Sequence, residues 1–207
     1  MSQNFRQMSK KALVAVVISW VIYQFFAYYF LPYFIVILFW LLLSLLLLIF
    51  SIIHFIKLII ERKSLSKLRI QKFITFTILF VFTVTNLFFP VLEKFDWIIL
   101  YNNREEIVEK VKNGELKPNV EWNKILCELP FDFPVISNGG NDILIFKNEN
   151  SVTVQFWTYR NFFSAPSTSF VYTDNTENIK YFEEKINTDP DRFWKLKSNW
   201  YRIYEND

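Results

Sequence analysis

Apolar residues run almost unbroken through three stretches of the first half of the chain, residues 12–31, 33–56 and 73–92. At 1.5 Å rise per residue, about 20 residues cross roughly 30 Å of hydrocarbon. The pattern therefore predicts three membrane-spanning helices. The second run has 24 residues, so it should tilt or overhang. Pro32 alone separates the first two, within residues 28–34 (YYFLPYF). That spacing predicts a tight helical hairpin at one interface, its rings at headgroup depth. The first run has no small-residue cleavage site before Pro32 and leads directly into the second, unlike a cleaved signal. Pro90 is expected to kink the third helix. Residues 91–101 are too short for a fourth span and carry Glu93, Lys94 and Asp96. Val91, Leu92, Phe95, Ile98 and Ile99 recur at helical spacing, which predicts an interfacial amphipathic segment.

After Tyr101 the pattern changes to short alternating runs. A helix is expected over residues 104–113, with Asn103 as N-cap, Glu105 and Glu106 in the first turn and Gly114 just past its end. Residues 142–147 (DILIFK) and 151–160 (SVTVQFWTYR) flank a loop of hairpin length. Residues 169–173 and 200–204 read as further strands, and residues 178–186 as a helix with Ile179, Phe182 and Ile186 on one side. The fold class is thus a membrane α-helical part with three spans, residues 1–101, followed by a small α+β domain with a mostly antiparallel sheet, residues 102–207.

Charge divides the chain at the same place. Residues 1–101 hold 10 Lys and Arg against 3 Asp and Glu, a net of +7; the remainder holds 13 against 17, a net of −4. Nine of those ten cations lie either in the amino-terminal segment or between the second and third runs, at Arg6, Lys10, Lys11, Lys57, Arg62, Lys63, Lys67, Arg69 and Lys72. Cations concentrate on the cytoplasmic side of spans, so both segments are expected inside. Three crossings then put the amino terminus in the cytoplasm and the carboxy-terminal domain outside it, on a bacterial inner membrane. The domain's acidic balance provides no basic stripe for a phosphate backbone, so no nucleic-acid partner is expected.

Chemistry-bearing patterns are sparse. One Cys and one His fill neither a disulfide nor a usual zinc site. Gly-rich phosphate loops, GxSxG, HExxH and CxxC are absent. Cys127 has no His near it in the sequence and reads as a small core residue. Glu105 with Glu109, Glu183 with Glu184 and Asp189 with Asp191 are carboxylate pairs that read as solvated surface rather than acid–base machinery. No enzyme, metal or cofactor is expected. Residues 137–142 (SNGGND) form either a turn or a backbone nest for an anion. Polar residues within the spans (Ser19, Tyr23, Ser44, Ser51, His54, Thr75, Thr83 and Asn86) are expected to bond between helices, because no Asp, Glu, Lys or Arg lies deep in a span to mark a conduction path. In the long strand, Val152, Val154 and Phe156 should face the core. Thr153, Gln155, Trp157 and Tyr159 lie on the other face, which either packs beneath the second soluble helix or is exposed. Gln155, Trp157, Tyr159 and Arg160 are the candidate binding residues, since clustered exposed aromatics favour recognition.

The stretches NREEIVEKVKNGEL (103–116), ELP (128–130), ISNGGNDILI (136–145), FWTYR (156–160), FVYT (170–173) and NWYRIY (199–204) resemble a group of uncharacterised bacterial membrane-anchored proteins in which a membrane helix precedes a small domain. The resemblance covers about half the chain and implies an extracytoplasmic domain. It implies no activity and no site residues, and the three-span part departs from the group's single anchor. Two function classes follow. One is a membrane-anchored recognition module, of immunity or envelope-accessory type, binding a protein, peptide or small ligand. The other is a membrane-disrupting effector of anti-phage defence with a cytoplasmic sensor domain, since its architecture is similar to that of known bacterial defence effectors. The expected partners are the lipid bilayer and one such ligand, with self-assembly of the chain left open.

Overall fold

The computed structural model describes residues 3–30, 34–132, 134–160 and 167–205. Helices α1 (Gln3–Phe30), α2 (Phe34–Ile60) and α3 (Lys67–Thr85) come first. The segments Lys10–Phe30, Ile37–Ile60 and Lys67–Thr85 are each long and apolar enough to cross a membrane. A 3-10 turn, Arg62–Ser64, joins α2 to α3. Ser66 caps α3 by accepting from the Arg69 amide, and Arg69 chelates Glu61 through Nε and Nη2 at 2.9 and 2.7 Å. Helix α3 stops earlier than the apolar run suggested. Asn86 terminates it in the left-handed conformation at φ 53°, and Pro90 sits in the first turn of the next helix, where its missing N–H costs nothing, rather than kinking α3.

Two compact units emerge. The first comprises Met1–Ala27 and Phe34–Leu92; the second comprises Tyr28–Tyr33 and Glu93–Asp207. Inside the first, Trp20, Leu47 and Leu79 form the buried centre, one from each helix. Of the polar residues expected to bond between helices, Thr83 and Ser51 do so, while the Tyr23 hydroxyl and His54 Nδ1 have no hydrogen-bond partner among the described residues. Trp20 Nε1 donates to Thr83 Oγ1 at 2.7 Å, Gln24 reaches the same hydroxyl at 3.4 Å, and Trp40 Nε1 donates to the Thr83 carbonyl at 3.1 Å. Ser51 pairs with Thr77 at 2.7 Å. His54 stacks on Phe76 with ring centroids 5.3 Å apart, while Ser44 bonds back to the Trp40 carbonyl of its own helix.

The second unit, the headpiece, is a six-stranded antiparallel sheet between two helices. Its strands are β1 (Leu126–Cys127), β2 (Ile143–Lys147), β3 (Val152–Tyr159), β4 (Ser167–Thr173), β5 (Trp194–Lys197) and β6 (Trp200–Glu205), in the order β1-β2-β3-β4-β6-β5. Helix α4 (Phe89–Lys112) is continuous through the expected boundary at Tyr101, so the interfacial segment and the first soluble helix are one element. Gly114, at φ 78°, follows α4 as its sequence position implied. Leu100, Val108 and Val111 of α4 cover one sheet face against Ile143, Ile145, Val154, Phe156, Phe170 and Trp200. Helix α5 (Thr176–Thr188) contributes Phe182 to a second core on the other face, with Val171, Tyr201 and Ile203. Every residue of β4 is buried because this central strand has cover on both faces. Two short strands, β1 and β5, lie at the edges, and β5 also carries Lys195 and Lys197; short edges and edge lysines discourage pairing with other chains.

Candidate functional site

Residues 28–30 end helix α1 but belong to the headpiece. The last carbonyls of any helix lack intrahelical donors, and here two are supplied by the loop after Ile136. Gly139, at φ 84°, donates its amide to the Tyr29 carbonyl at 3.3 Å, and Asn138 Nδ2 donates to the Tyr28 carbonyl at 3.1 Å. The loop is held from behind. Asn141 Oδ1 accepts from the Ile136 and Ser137 amides, Ser137 Oγ accepts from the Trp157 amide, and the Asn138 amide donates to the Trp157 carbonyl. The SNGG segment is therefore a turn that presents two donors to a helix end, the Asn138 side chain and the amide of left-handed Gly139. Of the two readings offered by its sequence, the Gly139 amide is committed to a protein carbonyl rather than to an anion. Phe30 adds an edge-on contact with Phe131 at 5.5 Å.

A buried ion pair lies beneath this clamp. Asp96 and Arg104, one per two turns of α4, have side chains 1% and 0% exposed. Arg104 Nη2 meets Asp96 Oδ2 at 2.6 Å, its Nε donates to the Ile136 carbonyl at 2.9 Å, and its guanidinium lies 4.9 Å from the Phe170 ring centroid. The Tyr29 hydroxyl donates to Asp96 Oδ1 at 3.0 Å. Isolated charges this deep would cost several kcal/mol each; pairing and saturation with hydrogen bonds make the burial tolerable. Tyr29 thus joins the headpiece by its backbone carbonyl and by its hydroxyl. Glu93, one turn before, pairs with Arg202 of β6 at 3.0 Å.

Beside the clamp is a surface groove of about 320 Å³. It is lined by Ile107, Leu116, Leu129 and Ile136 together with Glu106, Lys110 and Asp132, and Lys110 pairs with Glu106 at 2.6 Å. Ile136 and Asn141 serve both features, so a ligand seated in the groove would touch the loop that holds the end of α1.

Of the residues singled out from the sequence, Trp157 braces the clamp loop through its backbone, and none of the four lines the groove. Trp157 is buried, and its Nε1 has no hydrogen-bond partner among the described residues. Gln155 is half-buried and donates to Ser169 Oγ at 3.0 Å. Tyr159 is half-buried near the end of β3. Arg160 pairs with Asp142 at 2.8 Å and lies 4.2 Å over the Trp157 ring. Thr153, at the near end of the same face, bonds to Thr173 and to Asn178 of α5, so that end packs beneath the helix. Cys127 is buried on β1, and burial pushes its thiol up, away from the nucleophilic thiolate. Among the described residues, no group of three or more His, Cys, Asp or Glu could hold a metal. The clamp left little trace in the sequence: Tyr28 and Tyr29 read as belt aromatics, and their partners Asp96, Asn138 and Gly139 are far along the chain. Comparison with family models, curated proteins and solved structures returns no match.

Proposed function

We propose that the chain is a membrane-anchored recognition module whose headpiece faces the space outside the cytoplasm of a bacterium. The observation that carries this reading is the clamp on α1. Tyr28 and Tyr29 stand at the turn between the first and second candidate spans, and their carbonyls bond to Asn138 and Gly139. The headpiece then belongs on the side of the α1–α2 turn. The cations Lys57, Arg62, Lys63, Lys67 and Arg69 belong to the opposite turn, which the positive-inside bias assigns to the cytoplasm. The span count and the clamp support the same topology independently. The partly apolar groove, edged by the Lys110–Glu106 pair and Asp132, is the surface suited to a peptide or small ligand, in the manner of immunity or envelope-accessory proteins.

The competing role, a defence effector with a cytoplasmic sensor, requires the reverse topology. Carboxy-terminal fusions to alkaline phosphatase and to a fluorescent protein separate the two. The proposal expects an active phosphatase and a dark fluorescent fusion. An inactive phosphatase and bright cytoplasmic fluorescence, with depolarisation of cells on induced expression, would support the effector instead.

A further inference from the structure

The first half of α4 has an outward face unlike its second half. Val91, Phe95, Ile98 and Ile99 are 43, 55, 72 and 67% exposed. The exposed positions that follow along the same helix are Asn102, Asn103, Glu106 and Glu109. The change from apolar to polar falls within one turn. We propose that the first half of α4 is set into the membrane, with Val91, Phe95, Ile98 and Ile99 against lipid acyl chains and the water line between Ile99 and Asn102.

Three observations favour lipid as the occupant. First, the acidic residues that should keep this stretch out of a bilayer do not face outward. Glu93 is paired with Arg202, and Asp96 is buried against Arg104. Lys94 is the one outward charge in the apolar half, and a lysine can carry its ammonium to the headgroups on a flexible apolar stem. Second, the uncharged part of α3 is shorter than the hydrocarbon layer. Lys67, Arg69 and Lys72 occupy its first turns, so its apolar part, residues 73–85, is about 20 Å long, against roughly 30 Å of hydrocarbon. Residues 89–99 add about 16 Å of helix with a lipid-compatible face. Third, α4 begins immediately after α3. The Phe89 amide bonds to the Asn86 carbonyl at 3.0 Å, and the three-residue link keeps Phe89 within about 14 Å of Thr85. The helix that bears the stripe is therefore joined by a short link to the end of a candidate membrane span. The claim concerns depth alone and holds whichever side the headpiece faces.

Spin labels test it in the full-length protein. Cysteine is introduced singly at Phe95, Ile98, Ile99, Asn102, Glu106 and Glu109, with buried Cys127 retained and the parent chain as the labelling blank. Each variant is reconstituted into phosphatidylethanolamine–phosphatidylglycerol vesicles, and collisions with oxygen and with a nickel chelate are measured. Oxygen partitions into lipid and the chelate into water. The proposal expects high oxygen and low nickel accessibility at 95, 98 and 99, with the ratio falling several-fold by 102 and staying low at 106 and 109. High nickel accessibility at 98 and 99 would overturn it in favour of a solvated helix. Low accessibility to both reagents, with spin–spin broadening, would overturn it in favour of a second copy of the chain on this face.

Discussion

Asp96 and Arg104 are the residues whose loss should be felt most. Asp96→Ala or Arg104→Ala leaves an unmatched charge where the side chains are 1% and 0% exposed, which typically costs about 3–5 kcal/mol. Urea unfolding in detergent, followed by near-ultraviolet circular dichroism, should show that loss for either single change. The double replacement Asp96→Leu with Arg104→Met should cost less than either alanine variant, because it removes both charges. Unaltered single variants would mean that the pair is solvated. A second prediction concerns Asn138. Its side chain bonds the carbonyls of Tyr28 and Thr158, so Asn138→Ala removes a buried donor from both and should cost about 2 kcal/mol. Hydrogen exchange should also quicken at the Gly139 amide, whose acceptor is the Tyr29 carbonyl. Unchanged protection there would remove Asn138 from the clamp. None of this was legible residue by residue. Asp96 read as a surface charge excluding its segment from the membrane, since a sequence does not say that a guanidinium eight positions on will turn inward to meet it.

At the scale of elements, local signals carried much further. Period-two alternation found β2, β3, β4 and β6 within a few residues, and 3.6-residue spacing found α5. The edge strands were missed for a physical reason. β1 has two residues, and β5 (WKLK) is mostly exposed, with no buried side to imprint alternation; its pairing with β6 depends on a turn through Asn199 at φ 62°. The start of α5 is a testable case of local coding. Asn175 Oδ1 accepts from the Glu177 and Asn178 amides, so Asn175→Ala should lower headpiece stability by about 1 kcal/mol, while Asn175→Asp should be tolerated. Equal loss in both variants would show that the side chain does something other than cap.

The contact of α5 with β5 and β6 should also respond to acid. Hydrogen bonds from Lys195 and Tyr201 hold the Glu183 carboxyl below its ordinary value of 4.5. A depressed carboxylate contributes stability at pH above that ordinary value and loses it as pH falls through the lower folded-state value. The parent chain should therefore lose more stability on acidification below about pH 4.5 than Glu183→Gln does. Identical acid limbs would show that the two hydrogen bonds are not maintained in solution. Screening keeps the effect small, since both partners of the ion pair are nearly half exposed.

For the whole molecule, hydropathy specified three helices long and apolar enough to cross a membrane and, after them, a small α+β headpiece. It did not specify the point of attachment. The boundary expected at Tyr101 lies inside α4, because the pattern changes there on the outward face while the inward face continues unbroken into the sheet. Nor did it disclose that the α1–α2 turn is part of the headpiece, a long-range pairing with no local signature. That pairing underlies the central claim, an outward-facing headpiece held at the turn opposite the cationic loop. Its most direct test is labelling of intact spheroplasts with a membrane-impermeant maleimide. Glu149→Cys, in the exposed turn between β2 and β3, should react at once, and Lys63→Cys, in the basic turn after α2, should react only after lysis. Prompt labelling at 63, with labelling at 149 only after lysis, would contradict the account.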